Sequence, residues 1–562
     1  MITIYYFHEY TSCFNHCKCK HCFLLVLYRT TIYDGIRSYD RRGMTRMIQS
    51  KEKVAVIDIG SNSIRLVIHE LDDKKGTREL HNLKQVARLS NHIDHDYQLT
   101  EAGLQVLKES LQQFEDVLHF HQVTNVKAVA TAAIRNALNK EEIIDYIHRE
   151  TSLRVRVLSE KEEAYYGYIA VVNSTSITDG ISIDIGGGST EVTLFKDKVL
   201  IHSHSFSFGA LTLKKKFFPN KEPDKQALKK LSEYVIEQCK TIPWLQEAKK
   251  LPIIGIGGSA RNMSLVHQSQ VNYPLAGLHQ YEMSINELKS MMQLFENSSL
   301  KEREHIDGLS KDRADVIVPA VRVIHEIADY IQADYFMMSN KGLREGLFFE
   351  EMLREHSADY LPEVAEESFF QLSREFEMNE DYVQEVGRIA RQLYTQLEPF
   401  IPQHLKHDDN IYLLKKSARV LYIGEFISHE TSSQHTFYVL TNRSIDGIPH
   451  SDRLAMAFIA SFKSKSWMKQ MSPPFKSYVS KELLKRFELL GSILKMAYAL
   501  DRTKRKIVQT ITSEKHGKSI ILYISCKKNT YSYFEEIKST KYKKHMEKVL
   551  KQNISLNFHP LD

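Results

Sequence analysis

The feature of this sequence that most constrains its fold is an internal repeat of an apolar strand, a glycine- and serine-rich turn, and a second strand. The first copy spans 53–70 and the second spans 181–195. Each copy places Asp-Ile-Gly at the end of its first strand, so Asp58 and Asp184 occupy equivalent positions. A repeat of this kind predicts two similar half-domains.

Between and after the repeats, amphipathic helical stretches alternate with short apolar strands, which is typical of an α/β fold. Helices are expected at about 100–120, 140–150 and 160–172, and the sequence becomes helical and poor in strands from about 350 to 510. The last fifty residues indicate a small α/β domain. The expected divisions are a half-domain at 47–180, a second at 181–348, a helical domain at 349–510 and a small basic domain at 511–562.

The length and composition are those of a folded, multidomain protein. At 562 residues the chain is too long for one hydrophobic core, and 42% of its residues are hydrophobic while 26% are charged. No segment contains the roughly 18 consecutive apolar residues that a membrane span needs. We therefore expect a cytoplasmic protein that does not enter a membrane.

Positive charge is concentrated at the C-terminal end. Residues 461–562 hold 22 Lys and Arg against 8 Asp and Glu, whereas the net charge of the whole chain is only +6. Such a region can bind polyphosphate, nucleic acid or anionic lipid, or can simply be a solvated basic surface. Charge alone does not choose among them.

The N-terminal segment has a different character. Four cysteines, Cys13, Cys17, Cys19 and Cys22, are interleaved with histidines and raise the question of zinc, but the usual structural sites have two C-x₂-C pairs and this segment has only one. The segment also lacks the pattern of a signal peptide. We expect residues 1–46 to be a non-native or disordered extension.

The two turns have the composition of a phosphate-binding loop. Glycine, serine and asparagine expose consecutive backbone N–H groups without crowding by Cβ atoms, which permits close approach of a phosphate. One such turn is weak support, because the same residues form ordinary turns. Two copies, each after an aspartate, favour binding of a phosphate between them; the residues concerned are Gly60, Ser61, Asn62 and Ser63, and Gly186, Gly187, Gly188 and Ser189. Strands follow both turns, so neither is a Walker loop.

These motifs resemble those of the exopolyphosphatase / guanosine pentaphosphate phosphatase family. The similarity extends in order from 58–65 through 130–137, 159–164, 184–191, 207–210, 255–259 and 273–275 to 343–346. The resemblance implies two actin-like (ribonuclease H-like) half-domains, followed by an all-α, degenerate HD-like domain and the small basic domain. Chain length makes the sequence most similar to a long bacterial exopolyphosphatase.

The resemblance also implies roles for individual residues. Glu163 matches the family's catalytic glutamate, the general base for the attacking water. Asp184 and Glu191 match carboxylates near the metal and phosphate, for which oxygen ligands favour Mg²⁺. Asp58 is expected either to share that metal role or to order the first turn. Arg135 matches an arginine that faces the phosphate, although an ion pair with Glu141 or Glu142 is the alternative. In the helical domain the His-Asp pair of a working HD site is missing, so metal hydrolysis is not expected there.

The leading functional prediction is an exopolyphosphatase that removes the terminal phosphate of inorganic polyphosphate. Hydrolysis of guanosine pentaphosphate to the tetraphosphate would use the same site. A kinase of the same fold would need an adenosine pocket and a phosphoryl acceptor, and a silent sensor of polyphosphate or alarmone would not need the carboxylates. We expect no nucleic-acid partner, and the family resemblance favours a homodimer.

Overall fold

The computed structural model describes residues 52–72, 76–219, 222–354, 360–517 and 519–561. The cysteine cluster and the predicted N-terminal extension lie outside these residues.

Fourteen strands and nineteen helices occur in the described part of the chain, apart from short 3₁₀ turns. The strands are β1 Glu52–Ile59, β2 Ile64–Asp72, β3 Gly76–Gln85, β4 Asn125–Ala130, β5 Val155–Val157, β6 Gly180–Ile185, β7 Thr190–Lys196, β8 Val199–Phe206, β9 Ile253–Ile256, β10 Tyr281–Ser284, β11 Tyr335–Met338, β12 Val508–His516, β13 Ser519–Cys526 and β14 Asn553–Pro560. The helices are α1 Glu101–Phe120, α2 Ala132–Arg135, α3 Lys140–Glu150, α4 Glu160–Val172, α5 Ala210–Phe217, α6 Lys225–Lys240, α7 Gly257–Gln270, α8 Ile285–Asn297, α9 Leu300–Arg303, α10 Ile317–Tyr330, α11 Leu343–Leu353, α12 Val364–Glu375, α13 Glu380–Leu397, α14 Asn410–Arg419, α15 Ser432–Asn442, α16 His450–Ala460, α17 Lys465–Met471, α18 Lys481–Leu500 and α19 Tyr533–Leu550.

The first two sheets share one topology, as the repeat predicted. The first has the order β3-β2-β1-β4-β5, in which β2 is antiparallel to both neighbours and β1, β4 and β5 run parallel. In the second, β8-β7-β6-β9-β11 reproduces this order and these directions, and β10 adds an antiparallel edge strand. The chain is thus a mixed α/β protein containing two copies of one sheet.

Two helices lie between the halves. α4 connects the first sheet to the second, and α11 follows the last parallel strand of the second sheet and packs beside α4. Their contact buries Tyr166, Leu347 and Phe348 against Val56 and Val129 of the first sheet. The crossing therefore fixes how the two halves meet.

The helical region after 364 and the C-terminal sheet share one hydrophobic core. Buried side chains of α13, α16 and α18 belong to the same cluster as Ile520, Leu522 and Ile524 of β13 and Met546 of α19. Residues 511–562, which are predicted as a separate small domain, thus pack directly against the helices before them. Within the described residues, no helix has both the length and the apolar character needed to cross a membrane.

Candidate phosphate site

The strand register brings the repeated aspartates to the same edge of their sheets. Asp58 pairs with Arg65 across β1 and β2, and Asp184 pairs with Glu191 across β6 and β7. Each aspartate stands two residues before its turn, so both turns project from the carboxyl ends of their central strands. In doubly wound sheets this edge is where ligands bind.

The two turns have matching backbone geometry. The Gly60 N–H donates to Ser63 O at 3.1 Å, and the Gly186 N–H donates to Ser189 O at 3.0 Å. Gly209 lies directly against the second turn, because a Cβ atom there would be 2.6 Å from Gly186 O. The close approach explains why glycine precedes α5.

A cavity of about 190 Å³ lies between the two halves. Five of the predicted site residues line it: Asp58, Gly60, Glu163, Asp184 and Glu191. The other predicted turn residues lie next to these in the chain but do not line the cavity. They are Ser61, Asn62, Ser63, Gly186, Gly187, Gly188 and Ser189. The structure thus brings the carboxylates of both repeats and Glu163 to one polar space.

Glu163 lies in the first turn of α4, where a capping box formed by Ser159 and Glu162 fixes the helix start. Burial raises the pKa of the Glu163 carboxyl to about 7, with smaller contributions from Asp184 and Asp58, while Arg135 opposes the shift. A carboxyl that titrates near neutral pH is well matched to proton transfer.

Arg135 pairs with Glu163 and not with Glu141 or Glu142. Its Nη1 group donates to Glu163 Oε2 and, at 3.1 Å, to Leu158 O. Its Nε and Nη2 groups are buried without a hydrogen-bond partner. The guanidinium therefore holds the glutamate and retains donors for an anion.

Asp184 and Glu191 are both protonated more readily than free carboxylic acids. Burial raises the pKa of Asp184 to about 6, against the attraction of Arg313 and Arg261. Burial also raises the pKa of Glu191 to about 8, while a hydrogen bond from Ser189 opposes the shift. Gly257 closes one side of this group, since its φ of +84° admits glycine and a Cβ atom would lie 2.3 Å from Asp184 Oδ1. With Asp58 and Glu163, four carboxyl groups line this one cavity, an environment that a cation stabilises.

Asp58 completes the set of carboxyl groups. Burial raises its pKa, and Arg344, whose Nη1 lies 4.0 Å from Asp58 Oδ2, and Arg65 partly oppose this. Among the described residues, no three Asp, Glu, His or Cys side chains are close enough to hold a metal by themselves. Mg²⁺ commonly takes one or two protein carboxylates and completes its shell with water and substrate phosphate, so one or two of Asp58, Asp184 and Glu191 would be enough for such a site.

Arginines near these carboxylates were missed by the sequence analysis. Arg65, Arg261, Arg313 and Arg344 act electrostatically on one another or on Asp58 and Asp184. The Nε groups of Arg65 and Arg344 are buried without a hydrogen-bond partner. Burial and the neighbouring arginines lower the pKa values of Arg65 and Arg261. Clustered cations are stabilised by a bound polyanion.

Part of this arginine cluster had a sequence signal. Arg65 stands opposite Asp58 in a strand pair that the repeat predicted, and Arg344 lies in a motif that carried the family resemblance. Arg261 and Arg313 had none. Thr131, Ser182 and Thr193 also line the cavity and were not predicted.

The protein combines two mixed sheets, two matching glycine- and serine-rich turns, and facing carboxylates and arginines. These are the features of an α/β protein that acts on phosphoryl groups. Comparison with known proteins identifies the family. The model of the Ppx/GppA phosphatase family matches residues 67–355, and that of Ppx/GppA phosphatase, domain III, matches residues 364–545. The chain belongs to the Ppx/GppA phosphatase family.

Individual relatives are distant. A bifunctional 3-dehydroquinate synthase/phosphatase of Fusobacterium nucleatum is 27% identical over 310 residues, which are 53% of this chain and 46% of that protein. The chain thus spans less than half the length of that relative. A guanosine-5'-triphosphate,3'-diphosphate pyrophosphatase of Vibrio vulnificus is 25% identical over 418 residues, 72% of this chain and 79% of the relative.

Solved structures give similar coverage. The Aquifex aeolicus member of the Ppx/GppA family is 28% identical, with a TM-score of 0.49 over 55% of this chain and 100% of that one. An exopolyphosphatase from Cytophaga hutchinsonii is 22% identical, with a TM-score of 0.49 over 55% of this chain and 100% of that one.

Proposed function

We propose that the protein hydrolyses the terminal phosphate of inorganic polyphosphate. The observation that carries the proposal is the cavity between the turns, whose volume of about 190 Å³ suits a phosphate group. Its lining contains carboxylates, hydroxyls and small apolar groups, but no aromatic side chain on which a base would stack. The surplus of Lys and Arg in 461–562 is consistent with a long anionic substrate.

In the proposed reaction, Glu163 accepts a proton from a water molecule while the water oxygen attacks the terminal phosphorus. The bridging P–O bond breaks, and the shortened chain leaves with the bonding electron pair. Backbone N–H groups of the turns and the arginines stabilise negative charge on the phosphoryl oxygens. Arg135 orients Glu163 through its direct hydrogen bond.

Mg²⁺ is part of this proposal, with one or two of Asp58, Asp184 and Glu191 as the residues that would hold it. When bound, the ion would supply positive charge to the phosphate oxygens. The raised pKa values of Asp184 and Glu191 support this assignment, because burial leaves these carboxyl groups poorly compensated by protein cations alone.

Hydrolysis of guanosine pentaphosphate is the second candidate. The Vibrio vulnificus relative, of which the chain covers 79%, bears the name of an enzyme acting on that nucleotide. Its terminal phosphate would enter the same cavity, and its guanosine would remain outside.

The test is phosphate release from long-chain polyphosphate and, separately, from guanosine pentaphosphate, with and without Mg²⁺. The wild type is compared with Glu163→Gln, for which loss of a general base predicts a decrease in kcat of roughly 10² to 10⁴. Glu141→Gln is the matched control, because the Glu141 side chain is 76% exposed and pairs with Lys140, whereas the Glu163 side chain is 20% exposed and pairs with Arg135.

Retention of polyphosphate turnover by Glu141→Gln and its loss in Glu163→Gln would support the proposal. Turnover of the nucleotide alone would favour the second candidate. Equal activity of Glu163→Gln and the wild type would exclude Glu163 as the base, and binding of polyphosphate without turnover would indicate a sensor.

A further inference from the structure

His279 occupies the junction of three parts of the molecule. It precedes β10 in the second half and only 3% of its surface is exposed. Its ring contacts the end of α4 and the turn after β11, and its backbone contacts the helical region. α4 carries Glu163, and the turn after β11 leads directly to Arg344.

The first ring contact is with the C-terminal end of α4. His279 Nε2 lies 2.8 Å from the carbonyl oxygen of Ser174, two residues after the helix ends. A carbonyl can only accept, so Nε2 carries the proton. The Gly447 N–H of the helical region donates to the same oxygen at 2.9 Å, and Asp446 Oδ1 lies 3.5 Å from Nε2.

The second ring contact is with the turn that precedes α11. The backbone N–H of Asn340 donates to His279 Nδ1 at 3.2 Å. The side chain of Asn340 in turn accepts from Arg261 Nε at 3.1 Å. His279 Nδ1 therefore supports the turn before Arg344 and, through Asn340, the side chain of Arg261.

The third contact reaches the helical region. His450, the first residue of α16, donates from Nε2 to the carbonyl oxygen of His279 at 3.0 Å. The neighbouring Gln280 donates to Ile445 O and Ile448 O, both at 3.1 Å. Gln280 is fully buried with a φ of 64°, which is unfavourable for a residue with a side chain and marks a backbone held by its surroundings.

We propose that His279 is a positioning residue that keeps the helix of Glu163 and the arginine-bearing turn in register with each other and with the helical region. Its two ring nitrogens serve different sides of the site. The Nε2 bond holds the C-terminal end of α4, the helix whose first turn carries Glu163. The Nδ1 bond holds the turn before Arg344 and, through Asn340, the side chain of Arg261. The catalytic consequence rests on the proposed hydrolase function, whereas the structural consequence does not.

Two substitutions separate the two bonds. In His279→Gln the side-chain amide reaches the position of Nε2 and retains a donor for Ser174 O, but no acceptor remains for the Asn340 N–H. In His279→Asn the amide oxygen occupies the position of Nδ1 and retains the acceptor, but the bond to Ser174 O is lost. We expect His279→Gln to raise KM for polyphosphate about tenfold with kcat nearly unchanged, and His279→Asn to lower kcat about tenfold.

Hydrogen–deuterium exchange provides a readout that does not need activity. His279→Gln should accelerate exchange in a peptide covering 339–344, and His279→Asn should accelerate it in a peptide covering 169–176. His267→Gln is the control, because His267 is also buried in the second half, at 5% exposure, and bonds Tyr281 rather than the site. His267→Gln should change neither the exchange rate of either peptide nor the ratio of kcat to KM.

Exchange that is unchanged in both peptides, or accelerated equally throughout the protein in both variants, would overturn the proposal. The same holds if active variants show the same kcat and KM as the wild type. Absence of turnover in the wild type would refute the proposed substrate alone, since the exchange experiment would still decide the role of His279.

Discussion

The packing of α4 against α11 gives the sharpest prediction, because it depends on the absence of a Cβ atom at one glycine. Gly346 lies in α11 where that helix meets Tyr166 of α4. A Cβ atom at Gly346 would stand 2.0 Å from the carbonyl oxygen of Tyr166. Real Cβ contacts are essentially never shorter than 3.0 Å, so Gly346→Ala requires the two helices to separate by about 1 Å. The obstructing atom belongs to the backbone, and no side-chain rotation relieves the clash.

This separation would act directly on the site. α4 carries Glu163 in its first turn, and α11 carries Arg344 in its own, so the two side chains move apart with their helices. A displacement of about 1 Å at a reacting centre can reduce the rate by about 100-fold. Overpacking of this kind also lowers the free energy of unfolding by about 1–3 kcal/mol. We therefore expect Gly346→Ala to fold but to lose between tenfold and 100-fold in kcat.

The assay is phosphate release under saturating substrate, together with denaturant unfolding of each variant. Gly387→Ala is the matched control, since Gly387 also lies inside a helix and its Cβ atom would meet only the Ala418 side chain, at 3.3 Å. The control should retain wild-type kcat. Wild-type kcat in Gly346→Ala would show that the spacing of the two helices does not set the geometry of the site, and the reasoning would fail.

Two further predictions follow from close contacts and from buried histidine. Gly209→Ala would place a Cβ atom 2.6 Å from Gly186 O and so displace the second turn. We expect this variant to bind phosphate more weakly in calorimetry. Unaltered phosphate binding would show that this contact does not position the turn. His450 is buried between Tyr273 and His279, and burial lowers its pKa to about 3. Because the folded pKa lies below the ordinary value of 6.5, stability is fully present above pH 6.5 and decreases as the pH falls, by about 2 kcal/mol at pH 5. His450→Gln should remove this part of the pH dependence in urea unfolding, and identical pH profiles for the two proteins would refute it.

Much of the fold followed from patterns local in the sequence. The repeat at Asp58 and Asp184 correctly predicted two equivalent sheets, because an apolar strand and a glycine-rich turn determine a hairpin within a few residues. The helix expected at 160–172 is observed as Glu160–Val172 because a Ser-x-x-Glu capping box defines its start. The edge strands β3, β8 and β10 were not predicted, because β3 and β8 lack a strict alternation of buried and exposed residues and β10 has only four residues.

The sequence by itself identified the repeated turns and their aspartates. Through the family resemblance it also indicated Glu163 and Glu191 as candidate site residues. Only the tertiary structure decided which cations face them. Arg261 and Arg313 reach Asp184 from separate segments of the second half, and the partner of Arg135 proved to be Glu163 instead of a neighbour on α3. The physical reason is that a hairpin or a helix start is set by bonds between residues close in the chain. Electrostatic pairing instead depends on which side chains the packed sheets and the crossing of α4 with α11 bring within a few ångströms.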